Sequence, residues 1–325
     1  MANGNVTARA SFVQQARWRP IEFVFWACTL LPFVVTPAYL SLASQVAITA
    51  LFALSLDLIL GYAGIVSLGH AAFFGMGAYT AGLIAKHYWT EPLSALCLAG
   101  LAAGILGYLT SHIIIRFRHL ALIMLTMGFG LLLAEAANSA SDLTGGADGL
   151  QGFRVPGVLG FKFDMFGRAA YAYALAVLFL CFLVARRVIH SPFGLALRGI
   201  RENATRMPAI GAPSRAHLRK AYTIAAVLAG IAGAVLTQTT STVSLETLSF
   251  SRSADVLVIL ILGGAGRRLY GGIVGAIIYM VARDQFSGAN PQYWYFWIGV
   301  MLVAVVMFLP NGILGGLSAL HKKSQ

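Results

Sequence analysis

The sequence predicts an all-α, polytopic helical membrane protein. It should have about ten transmembrane segments, some of them Gly-rich and broken or re-entrant, and both termini in the cytoplasm. Three observations carry that prediction. Of the 325 residues, 58% are hydrophobic and 10% are charged, at a mean hydropathy of +0.78, whereas soluble chains carry about 25% charged residues. Apolar windows recur along nearly the whole chain, most of them near the roughly 20 residues a helix needs to cross the hydrocarbon. Glycines interrupt several of these windows, and irregular backbone survives at membrane depth only where protein or a watery cavity surrounds it.

The windows fall near 22–40, 43–61, 65–85, 93–115, 119–137, 169–185, 220–240, 253–265, 271–285 and 293–310. The eighth and ninth are short, which predicts broken helices or a re-entrant pair. Counted as crossings, the ten leave both termini on one side. Arg9, Arg17 and Arg19 precede the first window, and Arg116 and Arg118 separate the fourth from the fifth. A basic run extends from Arg186 to Lys220, Arg267 and Arg268 divide the short windows, and Lys322 and Lys323 end the chain. This places 17 of the 23 lysines and arginines on one face, which the positive-inside rule assigns to the cytoplasm. Glu91, Asp142, Asp148, Asp164, Glu246, Asp255 and Asp284 take the other. The net charge of +12 therefore reflects topology, and nucleic acid is not an expected partner.

The predicted domains are a cytoplasmic tail over 1–20, a single transmembrane domain over 21–317 and a cytoplasmic tail over 318–325. Residues 186–220 form a cytoplasmic loop and 138–168 an outer loop. The long polar start followed directly by further spans favours a retained first helix over a cleaved leader. Cys28, Cys97 and Cys181 lie in apolar runs without pair spacing and read as small core residues, not as a disulfide or metal framework.

Residues 58–85 combine lipid-like composition with Gly61, Gly64, Gly69, Gly75, Gly77 and Gly82, one ring in His70 and one carboxylate just upstream in Asp57. A Gly-rich interruption of this kind marks either a transport pathway or a close-packed helix crossing. Leu58-Ile59-Leu60-Gly61-Tyr62-Ala63-Gly64 also matches Leu260-Ile261-Leu262-Gly263-Gly264-Ala265-Gly266 at an offset of 202, at which Gly69 matches Gly271. If the match is a repeat, the two copies are paired breaks ending at the inner face and flanking one path.

In the cytoplasmic loop, Ser191 reads as an N-cap and Pro192 as the first helical residue. Leu197, Ile200 and Ala204 then share one side at helical spacing, with Arg198, Arg201 and Glu202 on the flanks, and Pro208 is expected to end or kink the helix. Either lipid headgroups or a protein partner would cover its apolar side. Chemistry finds little support. No His-Glu-x-x-His, Gly-x-Ser-x-Gly or Gly-x-x-x-x-Gly-Lys-Ser/Thr pattern occurs, and the run Gly263–Arg268 lacks the Lys-Ser/Thr pair of a P-loop. His70 reads as a hydrogen-bonded packing or gating residue, and Asp57 as a carboxylate satisfied by snorkelling or by a helix-end bond. No metal or cofactor is expected.

Gly61-Tyr62-Ala63-Gly64 with Ser67-Leu68-Gly69-His70-Ala71-Ala72-Phe73-Phe74-Gly75 closely resembles the signature of branched-chain amino-acid ABC-importer permeases, in the LivM-like branch. The resemblance runs from about residue 43 to 317 and takes in Tyr270-Gly271-Gly272 and Pro310-Asn311-Gly312. It implies an inner-membrane permease, paired with a second related permease, two cytoplasmic ATPases and a periplasmic binding protein. Ser191-Pro192-Phe193-Gly194 and Arg198-Gly199-Ile200-Arg201-Glu202-Asn203 are similar to the loop by which such permeases dock on their ATPases. By that likeness Ser191, Pro192, Gly194, Arg198, Arg201, Glu202, Asn203, Arg206 and Gly211 occupy coupling positions.

The head of the outer loop, Leu143–Leu150, reads as a flexible turn, and by likeness it lies near the binding protein. Relatives commonly carry an acid after the Phe-Gly pair matched here by Phe129-Gly130; Leu131 takes that place and Glu135 follows a turn later. A substrate path is expected along Gly64, Ser67, Gly69, His70, Phe73 and Phe74. Leucine, isoleucine and valine are the substrates the resemblance implies, with urea, short amides and aromatic acids carried by similar permeases. The competing class is an ion-coupled secondary transporter, for which the intramembrane ionisable residues are few and scattered.

Overall fold

The structure, a computed structural model, describes residues 20–35, 39–89, 91–117, 119–153, 155, 157, 167–266, 269–309 and 312–315. Arg9, Arg17, Arg19, Arg118, Asp164, Arg267, Arg268, Lys322 and Lys323 lie outside the described residues. The helices in chain order are α1 (Pro20–Cys28), α2 (Pro32–Val35), α3 (Leu40–Asp57), α4 (Ala71–His87), α5 (Pro92–Ile114), α6 (His119–Ser139) and α7 (Ser141–Thr144). After the 145–167 connection come α8 (Arg168–Ile189), α9 (Pro192–Glu202), α10 (Ser214–Thr240), α11 (Phe250–Gly263), α12 (Tyr270–Ala289) and α13 (Trp294–Phe308). Among the described residues no strand forms, and a lone antiparallel bridge joins Leu150 to Val243. The all-α class is as the sequence predicts.

Among the described residues six segments are long and apolar enough to cross a membrane: Leu40–Tyr62, Pro92–Ile114, His119–Ser139, Arg168–Ile189, Ser214–Thr240 and Trp294–Gly315. This makes the chain a multi-pass membrane protein. Each of the other four windows differs for a visible reason. The first holds two short helices separated by a turn at 29–31, and the third opens as unwound chain with α4 starting only at Ala71. The eighth yields the 14-residue α11. The ninth is longer than its window, the 20-residue α12, but carries Arg283, Asp284 and Gln285 in its closing turns.

Burial sorts the helices. The most apolar window of Leu40–Tyr62 is 78% buried and that of Ser214–Thr240 is 72% buried, against 17% for α6 and 19% for Trp294–Gly315. In α10, Ala225, Ala226, Ala229, Gly230, Ala232 and Gly233 are buried, and their small side chains let α4 and α5 approach at backbone distance. Close approach of this kind replaces the hydrophobic effect as the driving force once helices lie in lipid. Interhelical bonds reinforce it: Thr237 Oγ1 donates to the Ala78 carbonyl at 3.1 Å and Gln238 Nε2 to that of Pro92 at 2.8 Å. Tyr173 completes the set by donating to Gln238 Oε1 at 2.6 Å. By contrast α6 and α13 expose Leu120, Met124, Leu132, Val303 and Met307. An ion pair between Arg186 and Glu22 ties α8 to α1.

The bundle has two distinct ends. At one, α9 lies against the close of α8 and the start of α10. At the other, the 138–153 segment folds onto the α10–α11 connection. There Leu150 N–H donates to the Val243 carbonyl at 2.8 Å and Val243 N–H returns the bond at 3.0 Å. The Leu143–Leu150 turn is pinned there, with the Thr144 hydroxyl donating to the Ala137 and Ala140 carbonyls at 2.5 and 2.9 Å. The cysteines differ from expectation. All three are free and Cys181 is buried, but Cys28 and Cys97 lie exposed on the outer surfaces of α1 and α5, where an apolar environment need not be the protein's own core.

Candidate functional site

The first break starts where α3 loosens into a π turn over Leu58–Tyr62. Gly64 follows at φ 74°, a left-handed conformation that costs a residue bearing Cβ roughly 1–2 kcal/mol. The Ile65 N–H reaches back to the Ile59 carbonyl at 2.8 Å. From there the chain runs without helix to His70, and neighbouring elements take up two amides of this stretch and the helix start that follows it. Leu68 N–H donates to Thr126 Oγ1 at 3.2 Å, and Ala71 N–H to Ser253 Oγ at 2.9 Å. His70 Nε2 lies 2.8 Å from Ser55 Oγ, and the ring stacks on Phe52 with centroids 5.5 Å apart.

The unwound backbone is therefore real, and most of it is sealed. Ser67, His70, Phe73 and Phe74 are fully buried, and a Cβ on Gly69 would overlap the Thr126 carbonyl of α6. Among the six residues expected along a path, Gly64 alone lines open space. That space is a cavity of about 350 Å³ bounded by Ile115, Leu122, Arg201 and Leu218 among others. Gly69→Ala is accordingly expected to act by prising the break from α6, not by filling a channel. It should lower the unfolding temperature of the purified chain, and an unchanged temperature would show that α6 yields freely.

The second break repeats the first. α11 ends at Gly263, Gly264 and Gly266 take φ 101° and 72°, and α12 begins at Tyr270. Gly266 stands 202 residues after Gly64, in the register of the repeated heptapeptide, and with nearly the same φ. The two breaks also touch. Gly266 N–H donates to Asp57 Oδ1 at 2.8 Å, and a Cβ on Gly61 would stand 2.5 Å from that same nitrogen. Asp57 is fully buried, and one of its oxygens takes this bond across the breaks in place of snorkelling.

The loop helix grips the junction. Ser191 Oγ accepts from Gly194 N–H at 3.4 Å and Pro192 opens α9, as the sequence predicts. Gly194 is buried so tightly that a Cβ would overlap the Ile189 carbonyl at the end of α8. Leu197 and Ile200 are buried beneath the helix, but Ala204 lies in a turn beyond it. The helix stops at Glu202, well before Pro208. Asn203 ends it, its Oδ1 accepting from Thr205 N–H, Thr205 Oγ1 and Arg206 N–H at 3.2, 2.7 and 3.1 Å. Gly211 then closes the Pro208–Ile210 turn at φ 84°.

Two arginines one turn apart reach inward from α9. Arg201 Nη1 donates to the Gly61 carbonyl and its stem lies on Gly64, while the Arg198 guanidinium sits 5.2 Å from the centroid of the buried Tyr62 ring. Of the residues expected to couple, Arg198 and Arg201 reach the first break and Gly194 packs on the end of α8, whereas Pro192, Glu202 and Arg206 are exposed, as is part of Arg201. Leu195, 51% exposed, joins the outward group. Its signal was an apolar residue on the polar side of an amphipathic helix. Tyr62, present in the sequence as part of the Gly-Tyr-Ala-Gly step, is the partner of Arg198.

The family whose model matches residues 38–306 is the branched-chain amino acid transport system / permease component family. The chain belongs to it. Similar members include the high-affinity branched-chain amino acid transport system permease protein LivM of Escherichia coli K12. That protein is 28% identical over 305 residues, which cover 87% of this chain and 71% of the relative. The Salmonella typhimurium LT2 protein of the same name is 29% identical over 306 residues, with the same coverage. A probable branched-chain amino acid transport permease protein LivM of Methanocaldococcus jannaschii is 24% identical over 314 residues, covering 80% of this chain and 88% of the relative. No solved structure matches the chain. Family membership implies association with other transporter subunits, and among the described residues no group of three His, Cys, Asp or Glu converges on a metal-sized site.

Proposed function

We propose that the chain is the membrane permease subunit of an ATP-binding-cassette importer for branched-chain amino acids, resident in a bacterial inner membrane with both termini in the cytoplasm. It pairs with a second, related permease and is served by two cytoplasmic ATPases and a periplasmic binding protein. It performs no chemistry of its own. The observation that carries this reading, beside the family match, is the hold of Arg198 and Arg201 on the first break where it touches the second. A push on α9 from below reaches both breaks through one pair of side chains.

In this mechanism the ATPase contacts the outward face of Pro192, Leu195, Glu202 and Arg206. Its closure displaces α9, and Arg201 draws on the Gly61 carbonyl. The Asp57–Gly266 bond makes the two breaks move together. The sealed stretch from Ser67 through Phe74 is the gate, and the Gly64 cavity is the inner chamber that the gate opens or closes. The exposed faces of α6 and α13 meet lipid or the second permease.

The test compares the isolated chain with the assembled importer. Alone in detergent, the chain is expected to show no nucleotide-dependent hydrolysis. In the assembly, Arg201→Ala should keep ATP hydrolysis but lower uptake by about tenfold or more, the loss expected for one hydrogen bond from a charged group. Glu202→Ala should instead weaken co-purification of the ATPase. ATP hydrolysis by the isolated chain, or normal uptake by Arg201→Ala at normal expression, overturns the proposal.

A further inference from the structure

A second cavity, of about 290 Å³, lies at the end of the bundle opposite α9, where α3, α10, α11 and α12 meet. Its size is near the lower limit for small-molecule pockets, roughly 300–1,000 Å³, which suits one small solute. Three of its lining residues carry charge: Arg252 from the first turn of α11, and Arg283 and Asp284 from the last turns of α12. Ile48, Leu236 and Met280 supply an apolar wall.

Charged groups within membrane helices are costly and persist where they are paired or functional. Among the described residues the ion pair is Arg186 with Glu22, and neither Arg252 nor Arg283 has a carboxylate at salt-bridge distance. Each rests on an aromatic face instead: Arg252 5.5 Å from the Phe74 centroid, Arg283 5.1 Å from that of Trp294. Cation–π contact holds a guanidinium in place while leaving its N–H donors free of a carboxylate bond. Of the nearby acids, Asp255 already accepts from the Tyr279 hydroxyl at 2.8 Å. Glu246 and Asp255 act on Arg252 through space without reaching bonding distance, so two oriented guanidinium forks, neither bonded to a carboxylate, border one cavity beside Asp284. The fork geometry matches a carboxylate in two parallel bonds.

We propose that this cavity is a binding site within the permease for the transported amino acid. Arg252 and Arg283 hold the carboxylate, Asp284 holds the ammonium group, and the Ile48, Leu236 and Met280 wall holds the side chain. The proposal rests on the importer reading above. Arg252 also links the cavity to the gate, because Phe74 beneath it lies 4.6 Å from Phe52, which stacks on His70.

The experiment places a cysteine at the cavity rim, Ser287→Cys, in a full-length chain whose Cys28, Cys97 and Cys181 are replaced. The rate of labelling by a small water-soluble thiol reagent is then measured. Millimolar L-leucine is expected to slow labelling, and leucinamide, which lacks the carboxylate, is expected not to. Arg252→Gln and Arg283→Gln, tested separately in case one folds poorly, should each weaken protection by about tenfold or more, as loss of a hydrogen bond between charged groups requires. Equal protection by leucinamide, or full protection in both arginine variants, overturns the assignment. Absence of protection in a chain whose assembled importer takes up leucine overturns the site and leaves the importer reading standing. If the assembled importer takes up no leucine, isoleucine or valine and none of them protects, both fall.

Discussion

Gly266→Val is expected to abolish uptake and to lower the thermal stability of the purified chain. Two effects combine at this position. The backbone stands at φ 72°, which costs a Cβ-bearing residue about 1–2 kcal/mol and a β-branched one more. The new Cβ would also overlap the Gly61 carbonyl and meet the Arg201 guanidinium, and overpacking of this kind costs typically 1–3 kcal/mol. The sum is a substantial part of the roughly 5–15 kcal/mol that holds a folded protein together. The damage also falls where the two breaks and α9 join, so transport should fail even where the chain survives. Gly288→Ala near the end of α12, the helix that follows this break, where nothing lies within 4 Å, is the control and should leave both measures unchanged. The checks are uptake at matched membrane levels and the unfolding midpoint in detergent. A Gly266→Val chain that transports normally would show that the breaks do not act as one unit.

The sequence made most of this junction readable in separate pieces. The composition required a membrane bundle, and the Ser191-Pro192 start with Leu197 and Ile200 one turn apart was enough to place α9 and its buried side. The heptapeptide match at an offset of 202 fitted a repeat and a chance recurrence of apolar-Gly strings alike, and the left-handed φ shared by Gly64 and Gly266 is what the structure adds. What periodicity could not convey was contact between elements far apart in the chain. Nothing near Asp57 points to the amide of Gly266, 209 positions later, and nothing near Arg201 points to the carbonyl of Gly61. The end of α9 was misplaced for a related reason. Pro208 is a stronger breaker than Asn203, but the Asn203 side chain captured the next turn's donors first. The sealing of Ser67, His70 and Phe74 was equally hidden, since a buried gate and an open path ask for the same residues. Asp284 was legible only as an acid on one face of the membrane, and Arg252 and Arg283 only as basic residues outside the cytoplasmic clusters. That two helices aim them into one cavity is a fact of packing.

Asp57→Ala should be the most damaging change at a single polar side chain. The carboxylate is fully buried, one oxygen accepts from Gly266 N–H, and the other has no partner among the described residues. The charge of Arg201 acts across the same gap. Alanine would strand the half-buried Gly266 amide, at up to the roughly 1–3 kcal/mol of a fully buried unsatisfied donor, and leave Arg201 facing the backbone without a counter-charge. Asn at the same position keeps an acceptor of the same shape and removes only the charge. Asp57→Asn should therefore unfold near the wild-type temperature, whereas Asp57→Ala should unfold earlier and carry little substrate. If the pair acts as a latch, Asp57→Ala combined with Arg201→Ala must be non-additive, with a coupling of about 0.5–3 kcal/mol in a double-mutant cycle. Additivity within about 0.5 kcal/mol would dissolve the latch and leave α9 to act through Arg198 and Tyr62. The isosteric variant also separates the two modes of energising transport. In an importer driven by ATPases, Asp57→Asn should retain ATP-driven uptake, because the carboxylate there holds two breaks together and carries no ion. Complete loss of uptake in Asp57→Asn, with normal folding and assembly, would instead place a titrating group in the transport cycle.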